Sequence, residues 1–112
     1  MKIFHNPRCS KSRQTLELIR KKGVEPEVIL YLENSPNADE LRNILKKLQI
    51  PAEKLVRRGE QEFKDRFKGK DLSEAEWIEA MVNYPKLIER PIVIKENKAV
   101  IGRPPESVLE LL

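Results

Sequence analysis

The sequence predicts an α/β fold in which a strand-helix-strand unit and a strand-strand-helix unit flank a helical insertion. Three observations predict it: short apolar runs beside Pro or Gly occur at both ends of the chain, helix-capping patterns occur in the middle, and a hairpin pattern occurs near the end. The 112 residues are too few for two domains of ordinary size, so we expect one domain over residues 1–112.

The first part of the chain predicts a parallel strand-helix-strand unit. Lys2–His5 alternates polar and apolar residues and stops before a proline, which indicates a first strand. A helix begins at Ser10 or Ser12, either of which could be its N-cap, and has Gly23 as its C-cap. Glu27–Leu32 is apolar and β-branched, which is typical of a strand buried on both faces.

The helical insertion is expected from about Asn37 to Tyr84, because two capping patterns begin helices there. Asn37 is followed by Glu40, and Ser73 by Glu76, at the three-residue spacing of a capping box. Apolar residues then recur at the spacing of one helical face. No clear pattern lies between the two helices.

The end of the chain predicts a hairpin and a last helix. Pro91–Lys95 and Lys98–Ile101 flank a two-residue turn, and Pro105 suits the first turn of a helix. The apolar side of this helix carries Val108, Leu111 and Leu112. This order of elements describes a thioredoxin-like fold, with a four-stranded mixed sheet whose first two strands are parallel.

Composition and charge narrow the classes of function. The 22 basic and 18 acidic residues are interleaved, which does not favour nucleic-acid binding, while the net charge of +4 suits a small anionic substrate. The longest apolar run, Val28–Leu32, is too short to span a membrane, and the N-terminus has no apolar run typical of a signal peptide. A single cysteine cannot form an intrachain disulfide, so we expect a cytoplasmic protein.

Cys9 is the candidate reactive group. A lone cysteine is usually a buried core residue, but Cys9 lies between a proline-containing loop and a helix, where unpaired N–H groups favour the thiolate. Arg8, Lys11 and Arg13 add positive charge nearby. His5, the only histidine, either simply ends the first strand or polarises Cys9.

Spacing excludes three kinds of cysteine chemistry. A Cys-x5-Arg phosphatase loop would need arginine where Thr15 stands, and a dithiol oxidoreductase would need cysteine where Ser12 stands. A metal site would need more ligands than one Cys and one His, so we expect no metal. An outside thiol, with glutathione as the first candidate, must then resolve any adduct on Cys9.

The chain resembles the glutaredoxin-linked arsenate reductases along its whole length. The motifs that carry the resemblance are residues 5–13 (HNPRCSKSR), 15–16 (TL), 25–26 (EP), 31–33 (YLE), 87–93 (LIERPIV) and 102–104 (GRP). The resemblance implies that Cys9 is the nucleophile that attacks arsenate or a similar oxyanion.

The resemblance also implies that three arginines hold the oxyanion: Arg57, Arg90 and Arg103. Arg90 and Arg103 each precede a proline at one end of the hairpin, so both could project toward Cys9. Arg57 is chosen over its neighbour Arg58 because the run from residue 55 to 57 matches the family pattern.

Further implications concern the rest of the site. The resemblance implies a catalytic role for His5 and a substrate-binding role for Ser12. It also implies glutathione as co-substrate, glutaredoxin as partner protein and no bound cofactor. In thioredoxin-like proteins the proline that begins the third strand is usually cis, which points to a cis Arg90–Pro91 peptide.

Two other functions remain open. A general glutathione-dependent thiol reductase would use the same site, and longer members of the family carry a segment beyond the position of Leu112. RNA-polymerase-binding regulators with this fold resemble residues 90–92, but they generally carry a Cys-x-x-Cys switch and lack the arginine at 103, so Ser12 and Arg103 argue against that function.

Overall fold

The computed structural model describes all 112 residues, which divide into two compact units. The sheet unit comprises Met1–Asn34 and Arg90–Leu112, and the insertion unit comprises Ser35–Glu89. The inserted segment is therefore slightly longer at both ends than the sequence predicts. That the chain forms one domain over residues 1–112 stays a prediction.

A four-stranded mixed sheet forms the centre of the sheet unit, with strand order β2-β1-β3-β4. β1 and β2 are parallel, whereas β1 pairs antiparallel with β3, and β3 with β4. The strands are β1 (Lys2–Phe4), β2 (Glu27–Ile29), β3 (Ile92–Lys95) and β4 (Lys98–Ile101). This arrangement confirms the thioredoxin-like fold, with its helical insertion between the two halves.

The second strand is shorter and less buried than the sequence predicts. β2 lies at the edge of the sheet, with Glu27 exposed and its other two residues half-buried. The strand ends at Ile29, because the N–H groups of Glu33 and Asn34 both donate to the Leu30 carbonyl and turn the chain. The expectation of a strand from residue 27 to 32, buried on both faces, is therefore wrong.

Helix α1 (Ser10–Lys21) packs on the sheet and begins with Cys9 as its N-cap. Ser10 is the first residue of the helix, and the fully buried Ser12 lies inside its first turn, so the prediction that one of them is the N-cap is wrong. At the other end Lys22 is the C-cap, and Gly23 follows it with φ +83, the left-handed backbone that glycine adopts at no steric cost. The core of the sheet unit combines residues of α1, of the strands and of the C-terminal segment 105–111: Ile3, Leu16, Ile19, Val93, Val108 and Leu111.

The last helix is a 3-10 helix over Pro105–Leu111 rather than an α-helix. A 3-10 helix has three residues per turn, so residues three apart lie on one side. Pro105, Val108 and Leu111 are accordingly buried, whereas Leu112 is 39% exposed. The prediction that Leu112 shares the buried side is wrong, because it assumed the α-helical period.

The insertion unit confirms both predicted capping boxes. Asn37 Oδ1 accepts the Glu40 N–H at 2.8 Å, and Ser73 Oγ accepts the Glu76 N–H at 3.2 Å, with the reciprocal bonds also formed. The unit contains α2 (Ala38–Leu48), α3 (Gln61–Arg66), α4 (Glu74–Asn83) and 3-10 turns at Ala52–Lys54 and Pro85–Leu87.

Helix α3 is absent from the sequence prediction and owes its position to aromatic contacts. The Phe63 ring is stacked on Trp77, with centroids 6.2 Å apart, and the Phe67 ring lies 5.9 Å from the same indole. Such contacts stabilise a six-residue helix that would not persist alone. None of the helices in the chain is both long and apolar enough to cross a membrane.

Gly102 follows β4 directly. Of the four glycines, it is the one at which an added Cβ would meet other atoms within 4 Å. A Cβ at this position would lie 2.6 Å from Thr15 Oγ1 and 2.8 Å from Pro91 Cγ. Thr15 is fully buried and the proline ring is stiff, so neither neighbour can move away easily.

Gly102→Ala is therefore expected to destabilise the protein by about 1 to 3 kcal/mol, the usual cost of overpacking a closely packed site. Chemical denaturation measures this as a fall in the free energy of unfolding. Gly59→Ala is the matched control, because a Cβ there meets no atom within 4 Å and the backbone is not left-handed. An equal loss in the two variants would contradict the packing argument.

Candidate active site

The loop between β1 and α1 holds Cys9 in a tight turn. The Cys9 N–H donates to the Asn6 carbonyl at 3.0 Å, and the Arg8 N–H donates to Asn6 Oδ1 at 3.0 Å. The Cys9 carbonyl in turn accepts the Arg13 N–H as the first bond of α1. The thiol is thereby fixed at the N-terminus of the helix, where it is half-buried.

Arg103 brings the end of the hairpin to the thiol. Its Nη2 lies 3.3 Å from Cys9 Sγ, and its Nε donates to the Arg90 carbonyl at 2.7 Å. The Arg90–Pro91 peptide is cis, which confirms the sequence prediction. The Arg103–Pro104 peptide is also cis, which the sequence analysis did not predict.

The surroundings of Cys9 favour its thiolate form. Partial burial raises the pKa of the thiol, but four groups lower it: the Ser12 N–H, the Arg90 side chain, the charge of Arg103 and the Lys11 N–H. Together they outweigh burial, so the pKa of Cys9 lies below its ordinary value. The structure thus brings Arg90 and Arg103 together at the thiol, whereas their role in holding an oxyanion stays a prediction.

His5 is hydrogen-bonded to Ser12. His5 Nδ1 lies 2.6 Å from Ser12 Oγ, which also accepts the Asn6 N–H at 3.1 Å, and both side chains are buried. Burial, followed by the charges of Arg20 and Arg13, lowers the pKa of His5. The imidazole is therefore neutral at pH 7, and its hydrogen-bond partner Ser12 lies in the first turn of α1.

The Ser12 hydroxyl belongs to this buried pair, while the Ser12 N–H faces Cys9. The catalytic role of His5 and the contact of Ser12 with substrate stay predictions. Of the two donors of Ser12, the N–H is the one placed beside the sulfur.

Arg57 lies in the insertion unit, where two carboxylates face its guanidinium. Its Nε is 3.8 Å from Glu60 Oε2 and its Nη1 is 3.7 Å from Glu89 Oε1. Its N–H donates to the Leu87 carbonyl. Arg58 is different, because it is exposed and lies over the Phe63 ring at 5.3 Å. The role of Arg57 in holding an oxyanion stays a prediction.

Sequence reasoning missed Thr15 and Gly102 as supports of the site. Thr15 Oγ1 lies 2.8 Å from the Lys11 carbonyl and 3.3 Å from the Gly102 carbonyl, and the Gly102 N–H donates to the Pro91 carbonyl. The two residues are 87 positions apart, so no local pattern could have paired them. The only sequence signal that could have pointed to Gly102 was its place directly before Arg103 and Pro104.

This arrangement can bind and attack a small anion. Guanidinium groups and backbone N–H groups converge on one sulfur, and all are donors suited to an oxyanion. No group of three or more His, Cys, Asp or Glu side chains is placed to hold a metal ion.

Comparisons with known proteins cover essentially the whole chain. The model of the ArsC family matches residues 4–111. The chain is 47% identical to an arsenate reductase of Haemophilus influenzae (98% of this chain, 97% of that protein) and 54% identical to the uncharacterized protein YfgD of Escherichia coli K12 (100% and 96%). The solved structure of an arsenate reductase from Vibrio cholerae superposes with a TM-score of 0.95 at 45% identity, covering 100% of this chain and 98% of that one.

Cys9 is expected to be alkylated as a thiolate at a pH where an unstructured cysteine is mostly protonated. Because its pKa is lowered, iodoacetamide at pH 6 should react faster with the native protein than with a cysteine peptide. The rate should rise with pH to a midpoint below that of the peptide. A rate no faster than that of the peptide would show that the thiol is not activated.

Arg103→Met tests the cause of that lowered midpoint. Methionine fills similar space but removes the cation next to Cys9 Sγ, so the midpoint should move toward that of the peptide. Arg20→Met is the matched control. Arg20 lies on α1, and its half-exposed side chain forms an ion pair with Glu25. Equal shifts in both variants would mean that overall charge, rather than the contact with sulfur, sets the pKa.

Proposed function

This chain belongs to the ArsC family, and we propose that it is a glutathione- and glutaredoxin-linked arsenate reductase in which Cys9 attacks arsenate. The observation that carries the proposal is the contact between Arg103 Nη2 and Cys9 Sγ, at 3.3 Å. It joins a nucleophile to a guanidinium, the side chain best suited to bind a tetrahedral oxyanion through paired donors.

The geometry supports attack on a bound oxyanion. An arsenic atom placed in line with Cys9 Sγ would have its oxygens within reach of the Arg103 and Arg90 guanidinium groups, which also stabilise the thiolate. Charge would build up on these oxygens as the sulfur–arsenic bond forms. Donors that are already in place stabilise such charge without reorganising, which is the main way in which sites of this kind accelerate a reaction.

The proposed sequence of steps leaves Cys9 itself unoxidised. The thiolate forms a bond to arsenic and one arsenate oxygen leaves, after protonation, as water. Glutathione displaces a second oxygen in the same way. A glutaredoxin thiolate then attacks the glutathione sulfur, the sulfur–arsenic bond to glutathione breaks, and its electron pair reduces As(V) to As(III).

Hydrolysis of the remaining bond releases arsenite and restores the Cys9 thiolate. The two electrons come from the thiols of glutathione and glutaredoxin, which are oxidised to a mixed disulfide as arsenic is reduced. No second cysteine is needed in this chain, which fits the serine at position 12. Because the route consumes reduced thiols, we propose the reducing cytoplasm as its location.

Arsenate should drive NADPH consumption when the protein is mixed with glutathione, glutaredoxin and glutathione reductase. Cys9→Ser should abolish this activity, because the hydroxyl is far less ionised than the thiol. If the wild type shows no arsenate-dependent turnover but reduces glutathione mixed disulfides, the protein is a general thiol reductase and the arsenate proposal is wrong.

Arg90→Lys and Arg103→Lys should each lower kcat/KM for arsenate. Lysine keeps the charge but loses the planar pair of donors, and a lost charge-assisted hydrogen bond of roughly 1.5 to 3 kcal/mol lowers the rate by about one to two powers of ten. Arg58→Lys is the matched control, because Arg58 lies over the ring of Phe63 in the insertion unit. If both site variants keep full arsenate-dependent turnover, these two arginines do not belong to the oxyanion site.

Arg57 is tested separately, since its part in the site rests on the family resemblance. Arg57→Gln should raise KM for arsenate or lower kcat, whereas Arg58→Gln should do neither. The free energy of unfolding of each variant is measured as well. A lost ion pair with Glu60 or Glu89 would lower it, whereas a lost contact with substrate would not. Unchanged kinetics in Arg57→Gln would limit the site to Arg90 and Arg103.

A further inference from the structure

Thr15 carries a buried hydroxyl that the reaction does not use. Its side chain is fully buried on α1, with Oγ1 2.8 Å from the Lys11 carbonyl and 3.3 Å from the Gly102 carbonyl. A hydroxyl has one proton, so these two carbonyls share a single donor. Serine or threonine inside a helix often donates back to the carbonyl four residues earlier, but here the second acceptor lies on another element.

Both carbonyls belong to segments that lead to the thiol. Lys11 lies in the first turn of α1, two residues after Cys9. Gly102 directly precedes Arg103, whose Nη2 lies 3.3 Å from Cys9 Sγ. The Thr15 hydroxyl therefore connects the segment that carries the nucleophile to the segment that carries its guanidinium partner.

The rest of the Thr15 side chain acts as a spacer between these segments. A Cβ on Gly102 would lie 2.6 Å from Thr15 Oγ1 and 2.9 Å from Thr15 Cγ2, so the Gly102 backbone rests directly on this side chain. On its other side the Gly102 N–H donates to the Pro91 carbonyl at 2.9 Å. The backbone before Arg103 is thus held between Pro91 and Thr15.

We propose that Thr15 is a positioning residue whose hydroxyl holds the Gly102–Arg103 backbone at the distance from α1 at which Arg103 reaches Cys9. Both polar contacts of Thr15 are with backbone carbonyls, so it acts through Arg103 and the first turn of α1. The inference concerns the thiol itself and goes beyond the proposed function, because it holds whichever substrate Cys9 attacks.

The test compares Thr15→Val, which removes the hydroxyl and keeps the shape, with Thr15→Ser, which keeps the hydroxyl and removes the methyl group. The readout is the pH midpoint of Cys9 alkylation by iodoacetamide. The midpoint is used instead of the rate because the nucleophilicity of a thiolate rises with its pKa. In Thr15→Val we expect the midpoint to rise by about half a pH unit or more, because Arg103 is less well held beside the sulfur.

Thr15→Ser should keep the wild-type midpoint, even though the lost methyl group lowers its thermal stability. Ile19→Val is the control for destabilisation alone, because Ile19 is a fully buried residue one turn further along α1 and carries no polar atom. Its midpoint should also stay at the wild-type value. If Thr15→Val does not fold, Thr15→Ala replaces it, since alanine also lacks the hydroxyl and places no methyl group against the carbonyls.

An unchanged midpoint in the folded hydroxyl-free variant would overturn the inference. So would a rise in Thr15→Ser or Ile19→Val as large as that in Thr15→Val, because packing would then be the cause. If the wild-type midpoint already equals that of a cysteine peptide, the activated thiol of the proposed function fails as well. If the wild-type midpoint is lowered but no substitution at Thr15 shifts it, only the inference is overturned. The proposed function then stands.

Discussion

The guanidinium of Arg103, placed between the Arg90 carbonyl and Cys9 Sγ, is the interaction on which the rest of the site depends. It joins residues 94 positions apart, so it forms only when the sheet is complete. Its Nε is bonded at 2.7 Å to a carbonyl at the start of the hairpin, which fixes how far the guanidinium can extend. The distance to the sulfur is therefore set by the register of β3 and β4 and by the packing of the hairpin against α1.

The half-buried position of Cys9 follows from opposing electrostatic demands. Full burial would raise the pKa of the thiol further and would close it to substrate, whereas full exposure would let water screen the two arginines. At the observed position the donors outweigh burial, and the pKa of Cys9 is lowered. The N-cap position supplies part of this effect at no cost in side-chain entropy, because the Ser12 and Lys11 N–H groups are fixed by the helix itself.

Much of the fold is predictable from local patterns, and the site is predictable only in part. The capping boxes at Asn37 and Ser73 and the final hairpin depend on residues a few positions apart, so the sequence shows them directly. Whether β2 is a central or an edge strand depends on the strand order, which no single strand encodes. The bond between Thr15 and Gly102 depends on a close approach of two elements, so it becomes visible only once α1 is packed against the hairpin.

The pKa shifts of the buried His5 and of Cys9 make the stability of the folded state depend on pH in the same direction. Burial, then Arg20 and Arg13, lowers the pKa of His5, so below about pH 6.5 the unfolded chain takes up a proton that the folded chain resists. The pKa of Cys9 is lowered as well, so below the pKa of an ordinary thiol the unfolded chain again holds more protons. Both groups therefore make the folded state more stable as the pH rises. At neutral pH the imidazole of His5 is uncharged and keeps its bond to Ser12, so the loop that presents the nucleophile is held in place there.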